Sequence, residues 1–221
     1  MIIARFLLNN LFIAIYVMPN NSTRLTKLNR LLPLVAIGTV ADCQSITEPT
    51  NRLLVKAGLQ ILQKNTHQIE GLEQLMIQTG LIAKINSGYI LTSQDLGFII
   101  SPILNSSGRI SHARLSIATI LAENYEDNQR YSILENQDYL NRTAFVLVSE
   151  LITTNTERKQ MVKDILAEVE ENAKTQYDEG KKTLWLEGDW SKGIIGLLAS
   201  RLVNQYNLPV IVVSKTKDIL E

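Results

Sequence analysis

Thr183–Ser214, TLWLEGDWSKGIIGLLASRLVNQYNLPVIVVS, is the stretch that decides the fold class. Thr183–Glu187 is a short run that suits a strand, and Leu208–Ser214 is a second, rich in Val and Ile, expected to be buried. Between them, Ile194–Tyr206 places apolar residues at helical spacing. Strand, helix and strand in succession read as a βαβ unit, so the two strands are expected to be parallel. Gly193 and Gly196 stand at the start of the helix, where they allow close backbone approach, and a helix N-terminus favours anions. No Lys-Ser/Thr pair closes the segment, which excludes a nucleotide P-loop. Small residues that let a helix pack on its sheet account for the same pattern.

Upstream, Asp178–Lys182 (DEGKK) is a turn and a candidate domain boundary. Thr143–Tyr177 reads as one long helix or two nearly collinear ones, with Met161, Ile165, Leu166 and Val169 on one stripe of a charge-dense second part. Asn124–Asn141 is polar, either a long loop or a helix with a weak core face. His112–Glu123 is expected to be helical, and Ser101–Ile110 (SPILNSSGRI) a loop. Thr92–Ile100 opens on a capping-box-like ThrSerGlnAsp. Gly71–Gly80 and Asn51–Gln63 read as helices. Leu31–Val40 (LLPLVAIGTV) reads as a strand buried on both faces, the kind found in parallel sheets. Met1–Met18 is apolar apart from Arg5, Asn9 and Asn10. Its uninterrupted apolar run is short for a membrane span, so a buried helix is the expectation.

Composition narrows the function classes. The chain has 221 residues, with 22 basic and 22 acidic side chains, so a generic basic surface for polyanions is excluded. Binding of nucleic acid would need a local basic site or a metal. One cysteine excludes a disulfide scaffold and cysteine-based zinc sites. His67 and His112 lie far apart, which excludes HExxH helices, and both are expected to be exposed. Cys43 is expected to be a small buried hydrophobe.

Three segments hold candidate chemistry. Asp42 closes Gly38-Thr39-Val40-Ala41-Asp42 at the end of the expected strand, where α/β folds place ligands and where a carboxylate can hold Mg²⁺ or Mn²⁺. Capping of the following turn is the alternative role for Asp42. Asn105-Ser106-Ser107-Gly108-Arg109 combines a glycine turn, hydroxyls and an arginine able to grip a phosphate with two parallel bonds. An ordinary loop with a surface arginine has the same composition. The third segment is Trp190–Arg201, described above.

Taken in order, these segments resemble the RecJ-type single-stranded-DNA exonucleases of the DHH phosphoesterase superfamily. LLPLVAIGTVADCQSI resembles that family's motif with a metal-binding Asp, and NRLLVKAGLQIL its continuation. DLGFIISPILNSSGRI resembles the asparagine- and arginine-bearing loop, NTERKQMVKDILAE the helix that links two domains, and GDWSKGIIGLLASRLVNQYNLPVIVVS the opening of the DHH-associated domain. The resemblance implies an α/β chain in three parts. Residues 1–142 would be the C-terminal part of a parallel-sheet DHH phosphoesterase domain, 143–179 a long linking helix, and 180–221 the first βαβ unit of the associated domain. It also implies cytoplasmic, Mn²⁺- or Mg²⁺-dependent 5′→3′ hydrolysis of single-stranded DNA in repair or recombination. Asp42 would be a catalytic metal ligand. Asn105, Ser107, Gly108, Arg109, Gly193, Gly196, Ser200 and Arg201 would line the nucleic-acid cleft.

The chain departs from the family pattern in several places. It has no adjacent histidines, and no glycine-rich G-S-x-R-S segment. Ile103 stands where the family has Arg, and Ser191 where it often has His. Asp42 alone cannot hold a pair of divalent ions. The expectation is therefore an inactive piece of such an enzyme, whose partners are single-stranded DNA and the remaining parts of its parent chain. No cofactor nucleotide and no membrane are expected. A DHH phosphodiesterase for short oligonucleotides or cyclic dinucleotides, and a catalytically dead DNA-binding or interaction module, are the alternatives.

Overall fold

A computed structural model of the chain describes residues 21–110, 112–122 and 142–215. Met1–Met18 and Asn124–Asn141, assigned above to a buried helix and to a polar connection, lie outside the described residues. The described residues form two compact units. One runs to Leu104 and includes Arg114–Leu151; the other joins Asn105–Ala113 to the chain from Ile152 onward.

The first unit is helical: α1 (Asn21–Ala41), α2 (Pro49–Lys64), α3 (Glu70–Gln78), α4 (Leu81–Asn86), α5 (Ser93–Asp95), a π-helical turn at Leu96–Ile100, α6 (Ser101–Leu104) and α8 (Arg114–Leu121). Here the structure corrects the sequence. Leu31–Val40, expected as a strand, is the second half of α1. Its burial falls on Pro33, Leu34, Ala36 and Ile37, a helical and not an alternating pattern. A short apolar run fits a buried helix as well as a buried strand, and Leu31, Leu32, Leu34 and Ala36 favour the helix. The helix continues through Pro33. It packs against α2 at Gly58, where an added Cβ would strike Ala36 and the Leu32 carbonyl.

The expected helices at Asn51–Gln63, Gly71–Gly80 and His112–Glu123 are present as α2, α3 and α8. The capping box at Thr92 is also present. Thr92 N–H and hydroxyl both donate to Asp95 Oδ2, at 2.8 and 2.9 Å. Tyr89 donates its hydroxyl to the same carboxylate, which raises the Tyr89 pKa because the neighbouring negative charge favours the protonated phenol. The expected loop at Ser101–Ile110 is instead two single-turn helices, α6 and α7 (Ser107–Ile110), joined by a turn at Asn105 and Ser106. Ser106 and Ser107 are buried, so the segment is packed and not a surface loop.

His67 differs too: it is 1% exposed. Its Nδ1 accepts the Ile69 backbone N–H at 3.1 Å, which fixes the connection between α2 and α3. Burial lowers its pKa, against a smaller opposing effect from Glu73, with Arg30 adding to the lowering. Cys43 is exposed, because it is the left-handed residue just past α1, with φ +51°. His112 is exposed as expected.

α9 (Ala144–Asp178) is one continuous helix. Its residues from Ile152 onward belong to the second unit, together with α7, β1 (Leu184–Gly188), α10 (Lys192–Tyr206) and β2 (Val210–Ser214). β1 and β2 pair in parallel, Leu184 opposite Val210 and Leu186 opposite Val212, as the βαβ pattern requires. One sheet face is covered: Leu184 and Leu186 pack with Val169 and Ala173 of α9 and with Leu198 and Leu202 of α10. The other face shows Trp185 and Ile211 to solvent. β2 is therefore half-buried where full burial was expected. The outer edge of β1 is satisfied by Gln176 of α9, whose amide bonds both the N–H and the C=O of Trp185, at 2.9 and 2.8 Å.

Candidate nucleic-acid interface

The second unit contains Asn105, Ser107, Gly108 and Arg109 as well as Gly193, Gly196, Ser200 and Arg201, and it joins Arg109 directly to Gly193. The join lies at the start of α10. Ser191 is its N-cap, accepting the Gly193 N–H at 3.3 Å and donating its hydroxyl to the Arg109 carbonyl at 3.4 Å. Arg109 Nη1 in turn donates to the Gly193 carbonyl at 3.2 Å. Gly193 permits this approach, since a Cβ there would run into the Arg109 backbone. Gly196 is in open space and has no such requirement. Ser200 bonds back to the Gly196 carbonyl at 2.9 Å within its own helix and is exposed. Asn105 and Gly108 are exposed, whereas Ser107 is buried.

Two residues of the linking-helix segment NTERKQMVKDILAE, to which sequence reasoning gave no binding role, belong to the same unit. Asn155 sits on the buried side of α9 at 5% exposure, where an apolar residue would continue the stripe. Its Oδ1 accepts from Arg158 Nη2 at 2.9 Å. A polar residue on a buried stripe was the available signal. Arg158, Lys159, Ser200, Arg201 and Asn204 line a cavity of about 150 Å³. Burial, and then the positive charges of Arg109 and Arg201, push the Arg158 pKa below the ordinary arginine range. Among the described residues, none of these three arginines forms a salt bridge.

Asp42 lies in the first unit and is exposed. It is the C-cap of α1: Cys43 N–H bonds the Val40 carbonyl at 3.1 Å and Gln44 N–H bonds the Thr39 carbonyl at 3.0 Å, a Schellman closure. The carboxylate thus stands at a helix C-terminus and not at a strand end, where the sequence had put it. Among the described residues, no three His, Cys, Asp or Glu side chains come close enough to hold a metal ion. The residues described here therefore do not fit a divalent metal centre.

No family model matches the chain. The single-stranded-DNA-specific exonuclease RecJ of Bacillus subtilis is 27% identical over 184 residues, which cover 83% of this chain and 20% of that protein. RecJ of Salmonella typhimurium is 28% identical over 198 residues, covering 86% of this chain and 30% of RecJ. Among solved structures, Thermus thermophilus RecJ with Mg²⁺ matches at a TM-score of 0.64 and 24% identity, over 85% of this chain and 26% of that one. Exonuclease RecJ bound to manganese matches at a TM-score of 0.61 and 23% identity, over 85% and 41%. The chain is RecJ-like in sequence and in fold. It spans about a fifth to a third of the length of these curated RecJ proteins. No helix among the described residues is long and apolar enough to cross a membrane.

Proposed function

We propose that this chain carries single-strand-binding machinery of a RecJ-type, metal-dependent 5′→3′ exonuclease acting on DNA in repair or recombination. The observation that supports this most directly is Arg109, held on the Gly193 carbonyl at the start of α10, in a unit whose arginines form no salt bridge among the described residues. Like charges gathered without counter-ions are costly to the folded chain and suit a polyanionic ligand. Phosphate contacts of this kind fix a strand in register without reading its bases. Asp42 is proposed as one metal ligand; among the described residues no group of three His, Cys, Asp or Glu side chains completes a site around it.

A second reading, a module that binds DNA without cleaving it, is favoured by the absence of a three-ligand cluster among the described residues. Hydrolysis of short oligonucleotides or cyclic dinucleotides is a third, separated by the preferred substrate length. The test is incubation of a 5′-phosphorylated single strand with the chain and Mn²⁺, beside an Asp42→Ala control. Binding of the strand with no degradation above the control is expected. Degradation lost only in Asp42→Ala would mean that the chain completes a metal centre by itself. Failure to bind the strand at low salt would overturn the nucleic-acid reading.

A further inference from the structure

We propose that Asn155 and Arg158 of α9 form, with Ser200 and Arg201 of α10, a subsite for a backbone phosphate of the bound strand, separate from the contacts made by Arg109. The proposal rests on the nucleic-acid reading above and gives a binding role to a residue pair that the sequence placed only in the linking helix.

Three observations converge on the pair. Arg158 Nε is shut off from water and has no hydrogen-bond partner, while its Nη2 is tied to the buried Asn155. A guanidinium left partly unsatisfied costs the folded protein free energy, so its burial at this place calls for a reason other than stability. Second, the cavity beside it is lined by Arg158, Lys159 and Arg201, by the neutral Ser200 and Asn204 and by the apolar Val162 and Leu197, and no acidic side chain lines it. Third, none of Arg109, Arg158 and Arg201 is neutralised within the described structure. An anion with several oxygens answers the second and third, because a guanidinium presents parallel donors matched to phosphate geometry. The Asn155 bond holds that fork in one orientation, so Arg158 enters binding with little left to order.

The subsite takes a phosphate and no base. Among the described residues that line the cavity none is aromatic, so no stacking platform for a base is present there.

The experiment measures the affinity of a labelled oligothymidylate by fluorescence anisotropy across a salt series, for the unmodified chain and for Arg158→Gln, Asn155→Ala, Arg201→Gln and Arg109→Gln. Arg158→Gln is expected to weaken binding about tenfold and to reduce the slope of log K against log salt by about 0.7, the share of one single-strand phosphate. Arg201→Gln, an exposed change with little risk to folding, is expected to act in the same direction. Asn155→Ala is expected to weaken binding with the slope retained, since it loosens the fork and leaves its charge.

Thermal unfolding supplies a second readout. Removing a like charge from the cluster is expected to leave the midpoint of Arg158→Gln unchanged or raised, whereas a purely structural arginine would lower it. Unaltered affinity and slope in Arg158→Gln and Arg201→Gln, with binding lost in Arg109→Gln, would overturn the subsite while leaving the proposed function standing. No binding by the unmodified chain would overturn both.

Discussion

Asp42 closes α1 at the end where the helix dipole is negative, so its charge opposes the helix that carries it. Asp42→Asn is therefore expected to leave the thermal midpoint unchanged or slightly higher, measured by circular dichroism; a clear loss of stability would give Asp42 a structural role instead. His67 makes the opposite kind of prediction. Its pKa in the folded chain lies below the ordinary 6.5, so the unfolded chain binds more protons between the two values. Stability is then fully present above pH 6.5 and declines as the pH falls through 6.5 toward the folded value. Urea titrations across that range are expected to show the decline, and His67→Asn, which keeps an acceptor for the Ile69 N–H but cannot titrate, is expected to flatten it. At this scale the sequence was a mixed guide. The exposure of His112 followed from its polar setting, but the burial of His67 goes with a local bond to Ile69, and the exposure of Cys43 with a helix-ending geometry, neither of which follows from residue type.

Helix starts and stops separate two glycines that look alike in the motif Gly193-Ile194-Ile195-Gly196. Gly193 touches the Arg109 backbone, so Gly193→Ala must displace α7 or tilt α10 and is expected to cost about 1–3 kcal/mol, an overpacking penalty. Gly196 faces open space inside the helix, so Gly196→Ala is expected to be neutral or to stabilise by up to about 1 kcal/mol. Chemical denaturation of both variants checks the contrast; equal effects would contradict the packing described. The βαβ unit, α2, α3 and α9 were legible because each has a clear period and clear ends. Leu31–Val40 was not, because a short, mostly apolar run shows no polar positions from which a helical or a strand period can be read in the sequence; only the fold reveals that burial falls on Pro33, Leu34, Ala36 and Ile37. The Ser101–Ile110 segment was misread for a related reason: Pro, Asn, Ser and Gly mark turns, and single-turn helices use the same residues.

The whole molecule has no net charge, yet its second unit holds three arginines, Arg109, Arg158 and Arg201, that form no salt bridge among the described residues. Local charge, and not the total, governs binding to a strand, which is why composition excluded only a diffuse basic surface. Apolar exposure acts at the same scale. Phe98, Ile90 and Leu53 in the first unit are 81, 73 and 67% exposed, and Trp185 and Ile211 stand on the open sheet face of the second. Exposed apolar groups in such number favour association, so sedimentation velocity is expected to show concentration-dependent oligomers; a monomer at every concentration would contradict this. The most direct test of the central claim is binding of a single-stranded oligonucleotide in EDTA, with no divalent metal present, by the unmodified chain and by the Arg109→Gln/Arg201→Gln double variant. The account predicts saturable, salt-sensitive binding that the double variant loses. Binding that appears only with Mn²⁺, or that survives the double change, would contradict it.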